Sequence, residues 1–404
     1  MIFKELITRE LAAKRNDFAG YFSRYGSELL YYSEVRELFE RTPSTAASER
    51  LAGSGAAAFP SPEIDEGRSL RIDFDSCWAN HEQARGWAAE VLSDRVTFAA
   101  DGSQTYIEKE TTLPVGAVQV GWFENPHSKV KKHTKEARFE ILSPSDLLDE
   151  SDVPMNPESR VGEKRFHSEI EKAAEFISRK KGWFERGERM PLAFFDGTLL
   201  VSFSLPQTSI QESFVTALVN LVRHSSDCRV PIVGYVDRSF ARDIVSMLHF
   251  FKPRDGVRSP SMYDTAILNG QSQGGKDRVL RKWGDRTSFC YSRRRGLEAF
   301  IDRGSGRPIV GFTYLQTTAD AQPARLDVPA WIYEDGMLEE VVDVVRAECV
   351  IGLGYPYALE AADQTALITA RDKEMFLKAL QDFAICEKLG FSISQKNASK
   401  ARRR

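Results

Sequence analysis

Apolar residues in the N-terminal segment recur at the spacing of an amphipathic helix. One helical face carries Ile2, Phe3, Leu6, Ile7 and Leu11. The pattern predicts helix to about residue 41. Residues 42–62 are small, polar and interrupted by glycine and proline, so they predict a linker or mobile loop. Helical character returns over residues 77–94.

Two short apolar runs each end at an Asp-Gly pair. Residues 96–99 lead into Asp101-Gly102-Ser103, and Phe194-Phe195 lead into Asp196-Gly197-Thr198. An Asp-Gly pair after a strand is a common hairpin signal. The same pattern would also place two carboxylates at the rim of one sheet, where they could hold a metal ion. Both interpretations stand at this level.

Strand and helix patterns alternate through the middle of the chain. Further strands are predicted over 113–124, inside the charged segment that follows residue 124, and over 229–237, with helices over 162–187 and 209–225. No fixed-period repeat is present, which argues against a solenoid. The pattern predicts an α/β protein with an N-terminal helical segment and a charged insertion.

The composition is that of a soluble globular protein. Of the 404 residues, 42% are hydrophobic and 28% are charged. With 55 basic and 58 acidic residues the net charge is -3, so any nucleic-acid binding must use a local basic surface. No apolar run approaches the roughly 20 residues that span a bilayer. The charged N-terminus lacks a signal-peptide core, so we expect no membrane association.

Cysteine and histidine usage narrows the chemistry. The five cysteines are scattered and form no Cys-x-x-Cys pair, which predicts a reduced, cytoplasmic setting without a thiolate zinc site. All six histidines precede residue 250, which excludes a histidine-rich metal site in the C-terminal third.

Acidic residues occur on successive predicted elements: two strand ends and the glutamate-rich helix over 162–187. Hard divalent ions prefer carboxylate oxygens. Two such ions about 4 Å apart can activate water and stabilise the leaving oxygen in phosphodiester cleavage. This order of elements and acids is similar to that of the ribonuclease-H-like fold, a mixed sheet flanked by helices.

Five motifs in order give a more specific resemblance. They are "AADGSQ", "RFHSE", "FFDGTL", "RLDVPAWI" and "GYPYALEAADQTALI", the last over residues 354–368. Over about residues 94–380 the sequence resembles the NurA family, the nucleases that work with the HerA DNA translocase in DNA end processing.

The resemblance implies a site. Its catalytic residues would be Asp101, Glu169, Asp196, Tyr355 and Asp363. The four acids among them would hold two manganese or magnesium ions. Glu171 and Glu175 are close enough to Glu169 to remain alternatives for the helix ligand. Asp363 stands where the family pattern has a histidine, eight residues after the tyrosine, and aspartate also ligates hard ions.

The resemblance further implies 5'-to-3' exonuclease action on DNA with some cleavage of single strands. A HerA-type hexameric ATPase translocase would feed DNA to a nuclease homodimer, and the N-terminal apolar face is predicted to contribute to dimer or translocase contacts. The alternative is a ribonuclease-H-like scaffold that binds DNA or the motor and cuts weakly. The histidine-to-aspartate difference and the acidic net charge favour that alternative.

The predicted organisation has three parts. Residues 1–93 form an N-terminal helical region with a linker near 42–62, residues 94–390 form the nuclease domain, and residues 391–404 form a basic tail. Two further interpretations are structural. Arg325 and Asp327 are predicted to form an internal ion pair, and residues 281–290 a structural corner.

Overall fold

The chain divides into two compact units. The computed structural model describes residues 3–106, 113–148, 156–202, 208–257, 259–270, 278–319 and 321–390. Unit 1 consists of Met1–Cys77 and Val236–Tyr333, and unit 2 of Trp78–Tyr235 and Glu334–Arg404. Its boundary after Cys77 differs from the predicted limit at residue 93. The predicted basic tail lies outside the described residues.

The secondary structure follows the predicted alternation closely. The helices are α1 Lys4–Ala13, α2 Arg15–Glu40, α3 Ser44–Leu51, α4 Glu63–Gly67, α5 His81–Leu92, α6 Pro144–Leu147, α7 Pro157–Lys180, α8 Ser209–Cys228, α9 Asp243–Phe251, α10 Asp264–Asn269, α11 Ala330–Glu334, α12 Leu338–Ile351, α13 Tyr357–Ala366 and α14 Ala370–Cys386. The strands are β1 Ala58–Pro60, β2 Arg71–Ile72, β3 Thr97–Tyr106, β4 Gly116–Asn125, β5 Thr134–Leu142, β6 Leu192–Asp196, β7 Ile232–Val236, β8 Arg286–Thr287, β9 Cys290–Ser292, β10 Val310–Leu315 and β11 Ala324–Pro329. Every helix and strand predicted above has a counterpart here.

Unit 2 contains a mixed sheet with the strand order β5-β4-β3-β6-β7. Strands β3, β4 and β5 are antiparallel neighbours, whereas β6 and β7 run parallel to β3. Helix α7 packs on one side of β3, where the ring of Phe176 stacks on Phe98 with centroids 4.7 Å apart. The predicted fold class, a ribonuclease-H-like mixed sheet flanked by helices, is confirmed.

The two Asp-Gly pairs have different conformations. Strand β3 continues through Asp101 and Gly102, which pair with Gly121 and Val120 of β4. The predicted turn at Asp101 is therefore wrong, because the hydrogen-bond ladder from β4 keeps this pair extended. Strand β6 does end on Asp196, and the chain turns at Gly197, whose φ of 115° favours glycine.

Unit 1 combines helices with antiparallel strands. Strand β9 pairs with β1 and β10, β10 also pairs with β11, and β2 joins through β8. The predicted linker over residues 42–62 is wrong in part, because it contains α3 and β1. Ala47, Leu51 and Ala58 from this stretch lie in the apolar core, which explains how small residues form ordered structure there.

The two structural interpretations from the sequence are confirmed within unit 1. Buried Arg325 donates from Nε to Oδ1 of Asp327 at 2.7 Å, and from Nη1 to Oδ2 of Asp243 at 2.7 Å. Asp285 is buried and accepts backbone hydrogen bonds from Arg281, Lys282 and Phe74, which closes the corner at residues 281–290. Both groups stabilise the fold of unit 1.

Within the part of the chain that the structure describes, no helix is both long enough and apolar enough to cross a membrane.

Candidate active site

Asp101 lies in the middle of β3, directly opposite Gly121 of β4. A Cβ atom on residue 121 would lie 2.4 Å from the backbone nitrogen of Ala366 in α13. The glycine therefore lets α13 approach the sheet at the level of Asp101. Thr97, four residues before Asp101 on the same face of the strand, donates to Glu348 of α12 at 2.9 Å. Asp101 thus faces α12 and α13.

Helix α13 carries Asp363, which is exposed. Both ends of the helix are held by side chains of unit 2. Buried Glu348 accepts from the backbone nitrogen of Ala358 at 2.9 Å, and Gln119 of β4 donates to the carbonyl of Ala366 at 3.1 Å. These bonds fix α13 over the face of the sheet that Asp101 occupies.

Asp196 is the last residue of β6, beside β3. The parallel register pairs Ala100 with Phe195, so that Asp101 and Asp196 follow together and face the same side. The hydroxyl of Tyr355 donates to Oδ1 of Asp196 at 3.2 Å. The chain turns at Gly354, with φ 111°, immediately before that tyrosine. Asp101, Asp196 and Tyr355 therefore lie on the side of the sheet that bears Asp363.

Glu169 approaches β3 from the opposite side, on α7. A Cβ atom on residue 102 would lie 2.5 Å from Oε1 of Glu169 and 2.7 Å from Cγ of Arg165. Gly102 is the neighbour of Asp101, so its α-hydrogens face α7 while Asp101 faces α13. The absent side chain at residue 102 allows the buried glutamate to reach the strand.

Arg165 holds Glu169 in this position. Its Nη1 donates to Oε1 of Glu169 at 3.0 Å and to the carbonyl of Gly102 at 3.1 Å. The two alternatives on the same helix have other partners and are exposed. Glu171 accepts from Arg138 at 3.1 Å, and Glu175 from Lys172 at 2.7 Å. The geometry therefore singles out Glu169 as the α7 carboxylate beside Asp101.

The four acids interact electrostatically. Burial raises the pKa of Asp101 to about 6; the backbone hydrogen bond from Gly102 opposes this, and the charges of Asp196 and Asp363 add to it. Burial likewise raises the pKa of Glu169 to about 8, opposed by the charge of Arg165 and reinforced by Asp101 and Asp196. Negative charges in a partly desolvated site repel one another, and a bound cation would reduce this repulsion.

The donor set fits a hard divalent ion, because every candidate ligand offers carboxylate oxygens. The carboxylates are not arranged as a complete metal-binding site. Among the described residues, no three histidine, cysteine, aspartate or glutamate side chains lie close enough to hold a metal ion.

Sequence reasoning overlooked the residues that position these acids. Arg165, which holds Glu169 at β3, was not identified as a site residue from the sequence. His127 donates from Nδ1 to the carbonyl of Arg95 at 2.8 Å, and its Nε2 lies 3.3 Å from Oε1 of Glu348. The glycines at residues 102 and 121, inside a strand pattern, were the sequence signal that another element approaches the strand closely there.

Unit 2 has the sheet order and the strand-borne and helix-borne acids of the ribonuclease-H-like nucleases. The family model described as "NurA domain" matches residues 95–368, so that it spans the whole sheet of unit 2 and all five candidate residues. The chain belongs to the NurA family. This family is one of nucleases, which agrees with the resemblance seen in the sequence motifs.

Solved structures give more distant similarities. A crystal structure of NurA with manganese is 9% identical with a TM-score of 0.39, covering 72% of this chain and 89% of that chain. One of NurA bound to dAMP and manganese is 11% identical with a TM-score of 0.33, covering 72% and 88%. The catalytic domain of human endonuclease V is 12% identical with a TM-score of 0.31, covering 74% and 96%. A comparison with curated proteins gave no match.

Proposed function

We propose that this chain is a divalent-metal-dependent deoxyribonuclease whose active site is formed by Asp101, Glu169, Asp196, Tyr355 and Asp363. One observation carries the proposal. Three aspartates from β3, β6 and α13 share one face of the sheet, while the buried Glu169 reaches the same strand through the gap at Gly102. Family membership over residues 95–368 supports the same activity.

The acids are the proposed ligands of two manganese or magnesium ions. Bound ions of this kind would supply an activated water and charge stabilisation for the departing oxygen of a phosphodiester. Asp101, Asp196 and Asp363 would provide oxygens from the α13 face. Tyr355 orients the Asp196 carboxylate through its 3.2 Å hydrogen bond. Arg165 keeps Glu169 at β3 and partly offsets its charge.

The proposed substrate is DNA, cut by 5'-to-3' exonuclease action and, on single strands, endonucleolytically. The proposed partners are a HerA-type hexameric ATPase translocase and a second copy of this chain. Family membership supports these proposals. Helix α1 offers a contact surface for one of them, because it buries no residue within its unit and leaves Phe3, Leu6, Ile7 and Leu11 about half exposed.

A second candidate function is a scaffold that binds DNA or the translocase and cuts weakly. It is favoured by the absence, among the described residues, of a ready-made group of three metal-binding side chains. The two functions differ in turnover rather than in fold, so that a cleavage assay separates them.

The test is a gel assay on linear DNA labelled at the 5' or 3' end, run in parallel with manganese, magnesium and chelator. We expect cleavage with either ion and none with chelator. Release of labelled mononucleotides from the 5' end would support the proposed polarity, and cutting of circular single strands the endonuclease action. DNA binding without cleavage in every metal condition would favour the scaffold.

A further inference from the structure

Unit 1 contains a cavity of about 480 Å³ beside helix α2. Its charged lining consists of Arg36, Arg71, Arg278, Arg281, Glu37 and Glu40, and the remainder includes apolar side chains of α2. Four arginines against two glutamates leave two positive charges in excess. The volume is within the range of small-molecule sites, roughly 300–1,000 Å³.

The arginines come from three separate segments: α2, β2 and the chain before β8. One of them has a buried donor that the fold does not use. The buried Nε of Arg36 has no hydrogen-bond partner among the described residues. Arg71 is paired with Asp73, since its Nε lies 2.8 Å from Oδ1 and its Nη2 donates to Oδ2 at 3.4 Å. A buried guanidinium donor without a partner destabilises the folded protein unless a ligand accepts from it.

The acidic residues of the lining are engaged in part. Glu40 accepts from the backbone nitrogen of Leu70 at 3.0 Å, which ties β2 to α2. Glu37 lies 4.0 Å from Arg41, outside the cavity lining. The corner closed by Asp285 fixes the backbone of Arg281 at the rim, since Asp285 accepts from its nitrogen at 3.0 Å. The backbone of Arg281 is therefore held in place beside the cavity.

We propose that this cavity binds a phosphate group, carried either by a DNA strand or by a free nucleotide. Guanidinium groups remain charged at all relevant pH values and form paired hydrogen bonds to phosphate oxygens. Several arginines around one cavity match a tetrahedral phosphate group, with its several acceptor oxygens, better than a planar carboxylate. The site belongs to unit 1 and uses none of the acids of the candidate active site.

The test measures binding without cleavage, so that its outcome is independent of the proposed nuclease activity. Chelator-treated full-length protein is titrated calorimetrically with inorganic phosphate and with a deoxynucleoside monophosphate, and by fluorescence anisotropy with a labelled single-stranded oligonucleotide. The variants are Arg36→Gln and Arg281→Gln. The control is Arg303→Gln, which removes the same charge from an exposed residue of unit 1 outside the cavity lining.

We expect each cavity variant to weaken phosphate-group binding about tenfold, as the loss of one charge-assisted pair implies, with the control within twofold. Saturable binding of phosphate or nucleotide would identify a free ligand, and an effect confined to the oligonucleotide would identify a strand phosphate. Equal weakening in all three variants, or none in any, would overturn the proposal. Because Arg281 is exposed, its variant keeps the test valid if Arg36→Gln is unstable.

Discussion

Gly102 and Glu169 are in such close contact that a Cβ atom on residue 102 would lie 2.5 Å from the glutamate Oε1. The neighbouring Asp101 points to the other side of β3. One missing side chain therefore brings a helix-borne carboxylate to the strand that bears the first aspartate. The geometry of the site therefore depends on the absence of a side chain at residue 102.

Gly102→Ala should displace Glu169 and Arg165 from β3. We expect cleavage to fall at least tenfold and the free energy of unfolding to fall by about 1–3 kcal/mol, as in other overpacked sites. Cleavage rates and denaturant unfolding measure the two effects. The control is Gly162→Ala on α7, where a Cβ atom would lie 3.7 Å from Gln104. That change should stabilise by up to about 1 kcal/mol, and a similar loss in both variants would contradict the specific role of Gly102.

Asp101→Asn and Asp196→Asn each remove one charge from the shared face while preserving side-chain shape. We expect turnover to fall by about two orders of magnitude or more, since a weakened ligand set loses metal-assisted hydrolysis. Oligonucleotide affinity in chelator should stay equal or rise slightly, because a negative charge near the phosphates is removed. Wild-type rates for Asp101→Asn would eliminate the proposed mechanism.

Asp363→His should retain activity, since either side chain ligates manganese.

Glu169→Gln, Glu171→Gln and Glu175→Gln form a matched series on α7. Only Glu169 is buried and in contact with Gly102, whereas the other two are exposed and pair with Arg138 and Lys172. We expect a large loss of cleavage for the first variant and changes within about twofold for the others. Parallel assays at one manganese concentration give the comparison. A larger loss for Glu171→Gln would assign the helix ligand to that residue instead.

The pH dependence of stability follows from the raised pKa of Glu169, about 8. The unfolded chain releases this proton near pH 4.5, while the folded chain keeps it to about pH 8. The stabilising contribution is complete below pH 4.5 and disappears as the pH rises to about 8. The Glu169→Gln variant has no carboxyl group to ionise at this position, so its free energy of unfolding does not fall in this way. In the presence of chelator it should therefore be more stable than wild type by roughly 1–3 kcal/mol at pH 9.

Denaturant unfolding of both proteins between pH 5 and pH 9 checks this prediction. Other titrating groups, including Asp101 with its raised pKa of about 6, are common to both proteins and cancel to first order in the difference. Added manganese should stabilise wild type more at pH 8 than at pH 5. A pH-independent difference between the two proteins would contradict the assigned pKa.

Removal of residues 1–13 tests the partner surface without damage to the core. Helix α1 buries no residue, whereas Tyr32, Val35 and Phe39 of α2 belong to the core of unit 1, so that a longer deletion would unfold it. We expect an unchanged melting temperature together with a lower oligomeric mass or weaker binding to a HerA-type translocase. Light scattering and a pull-down with the translocase measure these properties. Unchanged mass and binding would remove α1 from the interface.

Secondary structure was largely predictable, because apolar periodicity is a local property of the chain. The amphipathic pattern of α7 and the short apolar runs of β6 and β7 were sufficient to place these elements. Asp196 was correctly placed at a strand end, since the glycine after it needs a positive φ. The family motifs lie on these same elements, which is why the resemblance and the pattern predicted the same fold.

The Asp-Gly pair at residues 101 and 102 could not be assigned in this way. The same dipeptide ends β6 but continues β3, because β4 supplies the hydrogen-bond partners that keep it extended. The choice among three glutamates on α7 also depended on tertiary structure. The close approach of α7 to Gly102, a residue more than 60 positions away in sequence, distinguishes Glu169 from the other two glutamates.

By itself, the sequence determined the order of helices and strands, the acidic residue types and the family, since these follow from local pattern and motif. Only the tertiary structure decided that Asp101, Asp196 and Asp363 share a face and that Glu169 lies across the strand from Asp101. It also decided that residues 1–77 join residues 236–333 in one unit. The physical reason is that strand pairing and glycine-mediated close approach connect residues far apart in the chain, whose partners no local pattern specifies.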